Sequence, residues 1–262
     1  MKQTQIKKLI SQYFIKVTFA FLLLTLVACN IIADKKLSFT VIGDVHYKMP
    51  DYKTAKYLVP SLARELDTRK INPEFIIQTG DLFHAGKGYD ISQEASYAFN
   101  NFADNFEVPF FVSKGNHDSR EFYEKEALPL YSKELKKEIT KSWFSFDKAN
   151  CHFIILDCTE KNFSDQLVWL ENDLKAASED SRTDHIFVFG HYPLWIIARA
   201  GFTRPDFAYP VTLLLAKYRV DAYFCGHTHN KSVTVRLIDG QPLTQIMDAA
   251  VVEEGRLFEL AP

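Results

Sequence analysis

Cysteine is scarce in this 262-residue chain, four residues in all, and their placement excludes a disulfide framework. Cys29 lies in the N-terminal segment. Cys151 and Cys158 fall in one extended run, on opposite faces and about 23 Å apart at about 3.3 Å per residue, too far to bridge. With Cys225 they read as buried thiols that act as small apolar residues. Low-complexity tracts, internal repeats and long linkers are also missing, so nothing in the sequence marks a repeat array or a second folded domain. An excess of positive charge is missing too: 31 Lys and Arg stand against 33 Asp and Glu. Such a surface does not attract polyphosphate backbones, and no nucleic acid polymer is expected as a partner. What remains is the composition of an ordinary folded protein, 47% hydrophobic and 14% aromatic, with enough chain for a substantial core.

Lys2, Lys7, Lys8 and Lys16 precede an uncharged stretch from Val17 to Ala28, a basic region followed by an apolar one too short to cross a bilayer comfortably. The stretch ends Leu26-Val27-Ala28-Cys29, which resembles the lipobox of bacterial lipoproteins. That resemblance implies a signal peptide over 1–28, cleavage before Cys29, a diacylglycerol on its sulfur and a short tether over 29–36. A transmembrane anchor and a plain secretory signal are the alternatives. The expected location is extracytoplasmic, on the periplasmic or surface face of a bacterial membrane, held there through the N-terminal lipid. Cleavage removes four lysines and no acids and leaves 27 basic against 33 acidic side chains, a net charge near minus six.

From residue 37 apolar strand-like runs alternate with amphipathic helical ones. The strand-like runs are Leu37 to Ile42, Glu74 to Thr79, Pro109 to Ser113, His152 to Asp157, His185 to Phe189 and Asp221 to Cys225. Helical patterns stand around Tyr52 to Arg69, Ser92 to Phe106, Ser164 to Ser178 and Pro210 to Tyr218. Ser164 is expected as an N-cap, with Leu167, Leu170 and Leu174 as the apolar stripe. Such alternation implies a largely parallel sheet with helices outside. The last quarter changes rhythm: Ser232 to Ile238, Leu243 to Met247 and Arg256 to Leu260 read as consecutive strands, with Asp239-Gly240 as a tight turn. A second sheet packed on the first then gives an α/β fold, a four-layer α-β-β-α sandwich of two mixed sheets flanked by helices, over residues 37–262.

Five of the apolar runs end in a glycine and a ligand-type residue. Gly43-Asp44-Val45-His46, Gly80-Asp81, Gly115-Asn116-His117-Asp118, Gly190-His191 and Gly226-His227-Thr228-His229 all fall at the carboxyl ends of strands, where the loops of an open α/β sheet converge on one crevice. Asp44, His46, Asp81, Asn116, His191, His227 and His229 offer three oxygen and four nitrogen donors, more than one ion takes. Two ions sharing a carboxylate follow from that count. Mixed imidazole and carboxylate ligation suits manganese, iron or zinc; no cysteine stands in the set, against a structural zinc, and calcium asks for more oxygen. Taken singly, an Asp or Asn after a strand is more often a turn former and a His a surface group. Five such endings in one chain reverse that balance.

The ordered set Asp-x-His, Gly-Asp, Gly-Asn-His-Asp, Gly-His and Gly-His-x-His resembles the calcineurin-like metallophosphoesterase superfamily, over roughly residues 37 to 229. The resemblance implies that Asp44, His46 and His229 hold one metal, that Asn116, His191 and His227 hold the other, and that Asp81 bridges. It gives His117 the approach to the leaving group and Asp118 the orientation of His117. The implied activity is hydrolysis of a phosphate mono- or diester of a small phosphorylated substrate, through hydroxide activated by two divalent metal ions, with nucleotide and cyclic nucleotide diesters among the candidates. The purple acid phosphatases place a tyrosine three residues after the bridging aspartate, where this chain has His84, which argues against a tyrosinate-iron(III) centre. A non-catalytic binding or scaffold protein on the same fold is the alternative.

His152 and His185 begin apolar strands and read as structural, whereas His84 is a candidate border of the substrate. Tyr192-Pro193-Leu194-Trp195-Ile196-Ile197 is too apolar for an idle loop. It either packs on a sheet edge or sets Tyr192 and Trp195 as a wall for a flat substrate group. Arg199 and Arg204 are candidates for a second phosphate or a carboxylate, against the commoner role of solvated loop arginines.

Overall fold

The computed structural model describes residues 37–46, 53–68, 70, 72–83, 99–100, 104–196 and 203–248. Cys29 with the expected signal peptide and tether, His84, Arg199, the expected strand Arg256 to Leu260 and most of the helix expected around Ser92 to Phe106 lie outside the described residues. Among the described residues no helix is long and apolar enough to cross a membrane.

In chain order the elements are β1 (Thr40–Ile42), α1 (Lys53–Thr68), β2 (Ile76–Gln78), β3 (Phe110–Val112), α2 (Arg120–Phe122), a π-helical turn (Tyr123–Ala127) and α3 (Leu128–Leu135). They continue with β4 (Phe144–Lys148), β5 (Cys151–Ile155), α4 (Ser164–Glu179), β6 (His185–Phe189), α5 (Pro205–Lys217), β7 (Ala222–Cys225), β8 (Ser232–Ile238) and β9 (Gln241–Met247). β1, β2 and β3 form a parallel sheet in that order. The other six strands form a mixed sheet of order β4-β5-β6-β7-β9-β8, parallel from β5 to β9 and antiparallel at both edges.

The division between sheets differs from the expected one. It falls between β3 and β4, and the strands of the last quarter extend the larger sheet rather than building a second. Parallel strands buried on both faces read as similar apolar runs whichever sheet they join, so the runs themselves carry no mark of the boundary. β4 and the helical stretch from Arg120 to Leu135 carry no expectation at all. β4 is buried only in its first half, ending in the exposed Asp147 and Lys148, and so lacks a full apolar run.

Alternate residues of β5, β6 and β7 point to opposite faces, and both faces are covered. Phe153, Phe189 and Phe224 join the layer against β1–β3, while Ile154, Val188 and Tyr223 meet α4 and α5 residues such as Leu170, Leu174, Phe207 and Val211. Between the sheets the filling is aromatic: Phe75 meets Phe153 edge-on at 5.0 Å, Phe39 meets Phe153 edge-on at 5.3 Å, and Phe189 stacks on Phe224 at 4.8 Å. Truncating one such Phe to Ala costs about 3–5 kcal/mol.

Three local details hold the loops in place. Val112 donates its N–H to Tyr131 Oη at 2.9 Å, and Tyr123 Oη donates to the Val112 carbonyl, so the end of β3 is tied to the helix that follows the third cassette. α4 begins at Ser164 itself; the cap position is Phe163, and it is Asn162 Oδ1 that accepts the Ser164 N–H at 3.1 Å. Leu170 and Leu174 are fully buried and Leu167 packs against them. At the β8–β9 hairpin Asp239 and Gly240 both take positive φ, 49° and 79°, as a two-residue turn of this twist requires. Cys151, Cys158 and Cys225 are buried free thiols.

Candidate metal centre

Strands of both sheets deliver the cassettes to one crevice. Asp44 follows β1, Asp81 follows β2, Asn116 follows β3, His191 follows β6, and His227 with His229 follow β7. Backbone bonds knit them: His46 donates its N–H to the Asp81 carbonyl at 2.9 Å, and Gly226 donates to the His191 carbonyl at 3.1 Å. The two sheets meet where the His227 N–H lies 3.0 and 2.9 Å from the Asp44 carboxylate oxygens.

The turns that aim these side chains are strained. Asp44, His46, Asp81, His227 and His229 have φ of 30°, 49°, 54°, 70° and 54°, in the left-handed region that non-glycine residues avoid. Each such residue costs of order 1–3 kcal/mol, and such strain gathers at functional sites because the surroundings must enforce it. The glycines of the cassettes answer a different need, close approach. A Cβ on Gly226 would overlap Asp44 Oδ2, and one on Gly115 would overlap Asp81 N and Oδ1.

Donor atoms converge in three overlapping groups, Asp44 with His46 and His229, His46 with Asp81 and His117, and Asp81 with His191 and His227, each within 4.8 Å. Asp81 Oδ2 stands 3.1 Å from His191 Nε2 and 3.7 Å from His46 Nε2, between the first and the last of these groups. Asn116 Oδ1 adds an oxygen 3.0 Å from His191 Nε2. His46 Nε2 and His229 Nε2 face each other at 3.0 Å, both 3.8 Å from Asp44 Oδ1. His191 Nδ1 lies 2.9 Å from the Thr79 carbonyl, which fixes the tautomer and leaves Nε2 to point inward.

The electrostatics ask for a cation. Burial pushes the Asp44 carboxyl up to about 8. Burial would raise Asp81 as well, but His191, the His117 N–H and His46 together hold that carboxyl well below the usual carboxylate range. Burial opposes charge on His191, yet the carboxylates of Asp81 and Asp44 lift it to about 9. Burial and the neighbouring His191 bring His227 down to about 4, so that it is a neutral imidazole, the form that ligates. Protons on His191 and Asp44 thus balance charge that a bound ion would balance instead. Hard carboxylate and amide oxygens with borderline imidazole nitrogens fit divalent manganese, iron or zinc.

Asp118 does not face the His117 ring. Its Oδ2 accepts from the N–H groups of Asp81 and Gly115 at 2.9 and 2.8 Å, and its Oδ1 from Leu82 and Phe83 at 2.8 and 3.4 Å. It therefore joins the second cassette to the third. His117 is half-buried; its backbone N–H donates to Asp81 Oδ1 at 2.8 Å, and its ring stands 5.1 Å from that of His46. Tyr192 borders the crevice, its ring edge-on to His227 at 4.6 Å. Trp195 is placed elsewhere: it is buried in the core under α5, its Nε1–H donates to Thr234 Oγ1 at 2.8 Å, and Arg236 lies over its ring. Arg204 donates to Asp206, to the Cys158 carbonyl and to the Glu160 carbonyl, which makes it a loop clamp. The Thr79 carbonyl was beyond sequence reasoning, since a backbone acceptor has no residue signature.

The defining sequence pattern described as calcineurin-like phosphoesterase matches residues 37–231. The chain belongs to that family. It is 30% identical to the tartrate-resistant acid phosphatase type 5 of Mus musculus over 210 residues, 64% of this chain and 58% of the mouse protein. It is 29% identical to the Homo sapiens protein of the same name, over 76% of this chain and 68% of that one. The chain thus spans less than two thirds of the mouse relative's length. Among solved structures its fold is similar to a dimetal phosphatase from Danio rerio, with a TM-score of 0.61 at 14% identity over 83% and 88% of the two chains. It is similar also to the purple acid phosphatase PPD1 of Lupinus luteus, with a TM-score of 0.58 at 18% identity over 80% and 43%.

Proposed function

We propose that this phosphoesterase-family chain hydrolyses phosphate esters, monoesters foremost, with two divalent ions. The observation that carries the reading is Asp81, whose carboxylate stands between one donor group of Asp44, His46 and His229 and another of Asn116, His191 and His227. Those groups would each hold one ion. When bound, the ions would supply charge that acidifies a water and offsets the charge of the phosphoryl oxygens. Thr79 and Asp118 keep the ligands in place through His191 Nδ1 and through four backbone N–H groups. His117, half-buried beside Asp81, is the group available to give a proton or hydrogen bond to a departing alkoxide. Tyr192 bounds the crevice on the His227 side and restricts what can lie over it.

The preference for monoesters rests on the relatives named acid phosphatases. Parallel assays on nitrophenyl phosphate and its bis ester, with the protein reconstituted in turn with manganese, iron and zinc, test it. Faster turnover of the monoester is expected; faster turnover of the bis ester overturns the preference. Stoichiometric metal with neither ester cleaved would mean a binding or scaffold role, against which stands the complete set of seven donors. Outside the described residues, the Leu26-Val27-Ala28-Cys29 sequence supports lipid anchoring outside the cytoplasm. Cys29→Ser should then abolish fatty-acid labelling and release the chain from membranes, and unchanged labelling would refute it.

A further inference from the structure

The larger sheet ends in an unusually bare strand. Among the described residues β8 is its terminal strand, and it pairs with β9 over seven consecutive residues without a bulge. Val233, Val235 and Leu237 alternate along one face and are 58%, 59% and 74% exposed. Edge strands are normally blunted by proline, bulges or charged side chains, because a flat apolar edge is a template for another strand. β8 has no proline and one charge, Arg236, which is drawn over the Trp195 ring at 5.1 Å.

We propose that β8 is the interface on which a second copy of this chain docks, the two β8 strands pairing antiparallel about a two-fold axis through Val235, so that two six-stranded sheets become one. The sequence of the strand is complementary to itself in that register. Val235 then meets Val235 of the second copy, Val233 meets Leu237, and Thr234 meets Arg236. Just outside the strand, exposed Lys231 meets exposed Asp239, an ion pair at each end, and no like charges are directly opposed. A shift by two residues in either direction removes the ion pairs and sets residues of unlike polarity opposite one another. An interface made from one patch on both copies is the commonest form of oligomer symmetry. Extension of an exposed edge by a strand draws its affinity from main-chain hydrogen bonds and its register from the alternating side chains.

The test is made on the detergent-solubilised full chain by sedimentation and by oxidative cross-linking. Opposed residues of an antiparallel pair have Cα atoms about 4.5–5.5 Å apart, within the reach of a disulfide. Val235→Cys should cross-link to a homodimer well above the wild-type background, whereas Val233→Cys, which faces position 237, should not. Val235→Lys should raise the dimer dissociation constant more than tenfold and leave ester turnover per chain unchanged, since β8 carries no group of the metal centre. Lys231→Asp should weaken the dimer, and adding Asp239→Lys should restore it. A wild-type chain that stays monomeric up to about 100 µM, equal cross-linking at positions 233 and 235, or loss of vesicle binding rather than of dimer in Val235→Lys would each overturn the proposal, the last in favour of a lipid surface as the occupant.

Discussion

Two of the histidine–carboxylate assemblies among the described residues are built differently. On β4, β5 and α4 the His152 ring lies between two carboxylates, with Nδ1 2.6 Å from Asp147 Oδ1 and Nε2 2.9 Å from Asp173 Oδ2. Ser145 adds a hydrogen bond to the other oxygen of Asp173 at 2.9 Å. Every ring nitrogen has its own acceptor, and all of these residues keep ordinary backbone. In the crevice, by contrast, the imidazoles of His46 and His229 point at one another and share acceptors, and five donors sit on left-handed backbone. A proton completes the first assembly. Only a larger charge at the centre of the second resolves its crowding, which is why it reads as a site and the other as a strut.

The widest separation between the two should come from Asp81→Asn. Removing the shared charge should lower turnover by about 10³-fold or more and reduce bound metal, since both groups of ligands lean on that carboxylate. Metal analysis alongside a nitrophenyl phosphate assay reads both. Full metal content with full activity would remove the crevice's claim to differ from the strut.

His117→Gln should separate chemistry from ligation within the crevice itself. Turnover should drop by about 10²–10⁴-fold with metal content unchanged, and more on an alkyl phosphate than on a nitrophenyl one, whose leaving group needs no proton. Equal losses on both substrates would take the leaving-group role away from His117. Asp118→Asn should act a step further out: four backbone N–H groups lose a charged acceptor, and metal affinity should fall by about 10–100-fold, read by competition with a chelating dye. An unchanged affinity would leave Asp118 as a loop tie with no bearing on the ions.

The convergence of the candidate donors was legible in the sequence because each stands one or three residues past a glycine at the end of an apolar run, and such endings meet at one edge whichever sheet the run belongs to. The split into two sheets was not, because Val41, Ile77 and Phe111 are as buried as Phe153 and Val188 and leave the same trace. Between the two readings of Trp195, packing on a sheet edge and a wall for substrate, the sequence does not choose, for a related reason. The neighbours of Trp195, Thr234 and Gln245, lie 39 and 50 residues on, and nothing local announces that they take its indole N–H and its backbone N–H. The resemblance gives Asp118 the orientation of the His117 ring, whereas its hydrogen-bond partners are backbone groups of Gly115 and of Asp81, Leu82 and Phe83, the last three 35 to 37 residues away. Side chains that bond to backbone leave no pairing signal in residue types.

The smallest expected effect belongs to the strut, and it has a definite sign. Burial alone would lower the His152 pKa, but hydrogen bonds to Asp173 and Asp147 raise it above its ordinary value. A histidine raised on folding contributes stability that is fully present below the unfolded pKa of about 6.5 and is lost as pH rises through the folded value. Wild type should therefore exceed His152→Gln by about 1.5–3 kcal/mol at pH 5.5, the range for hydrogen bonds to a charged group, and by less at pH 9. Urea unfolding of both proteins at the two pH values reads the difference, in which the titrations of the crevice, common to both, cancel. A gap that widened with pH would mean that His152 is held neutral between its two acids. The strut, too, would then be short of a positive charge.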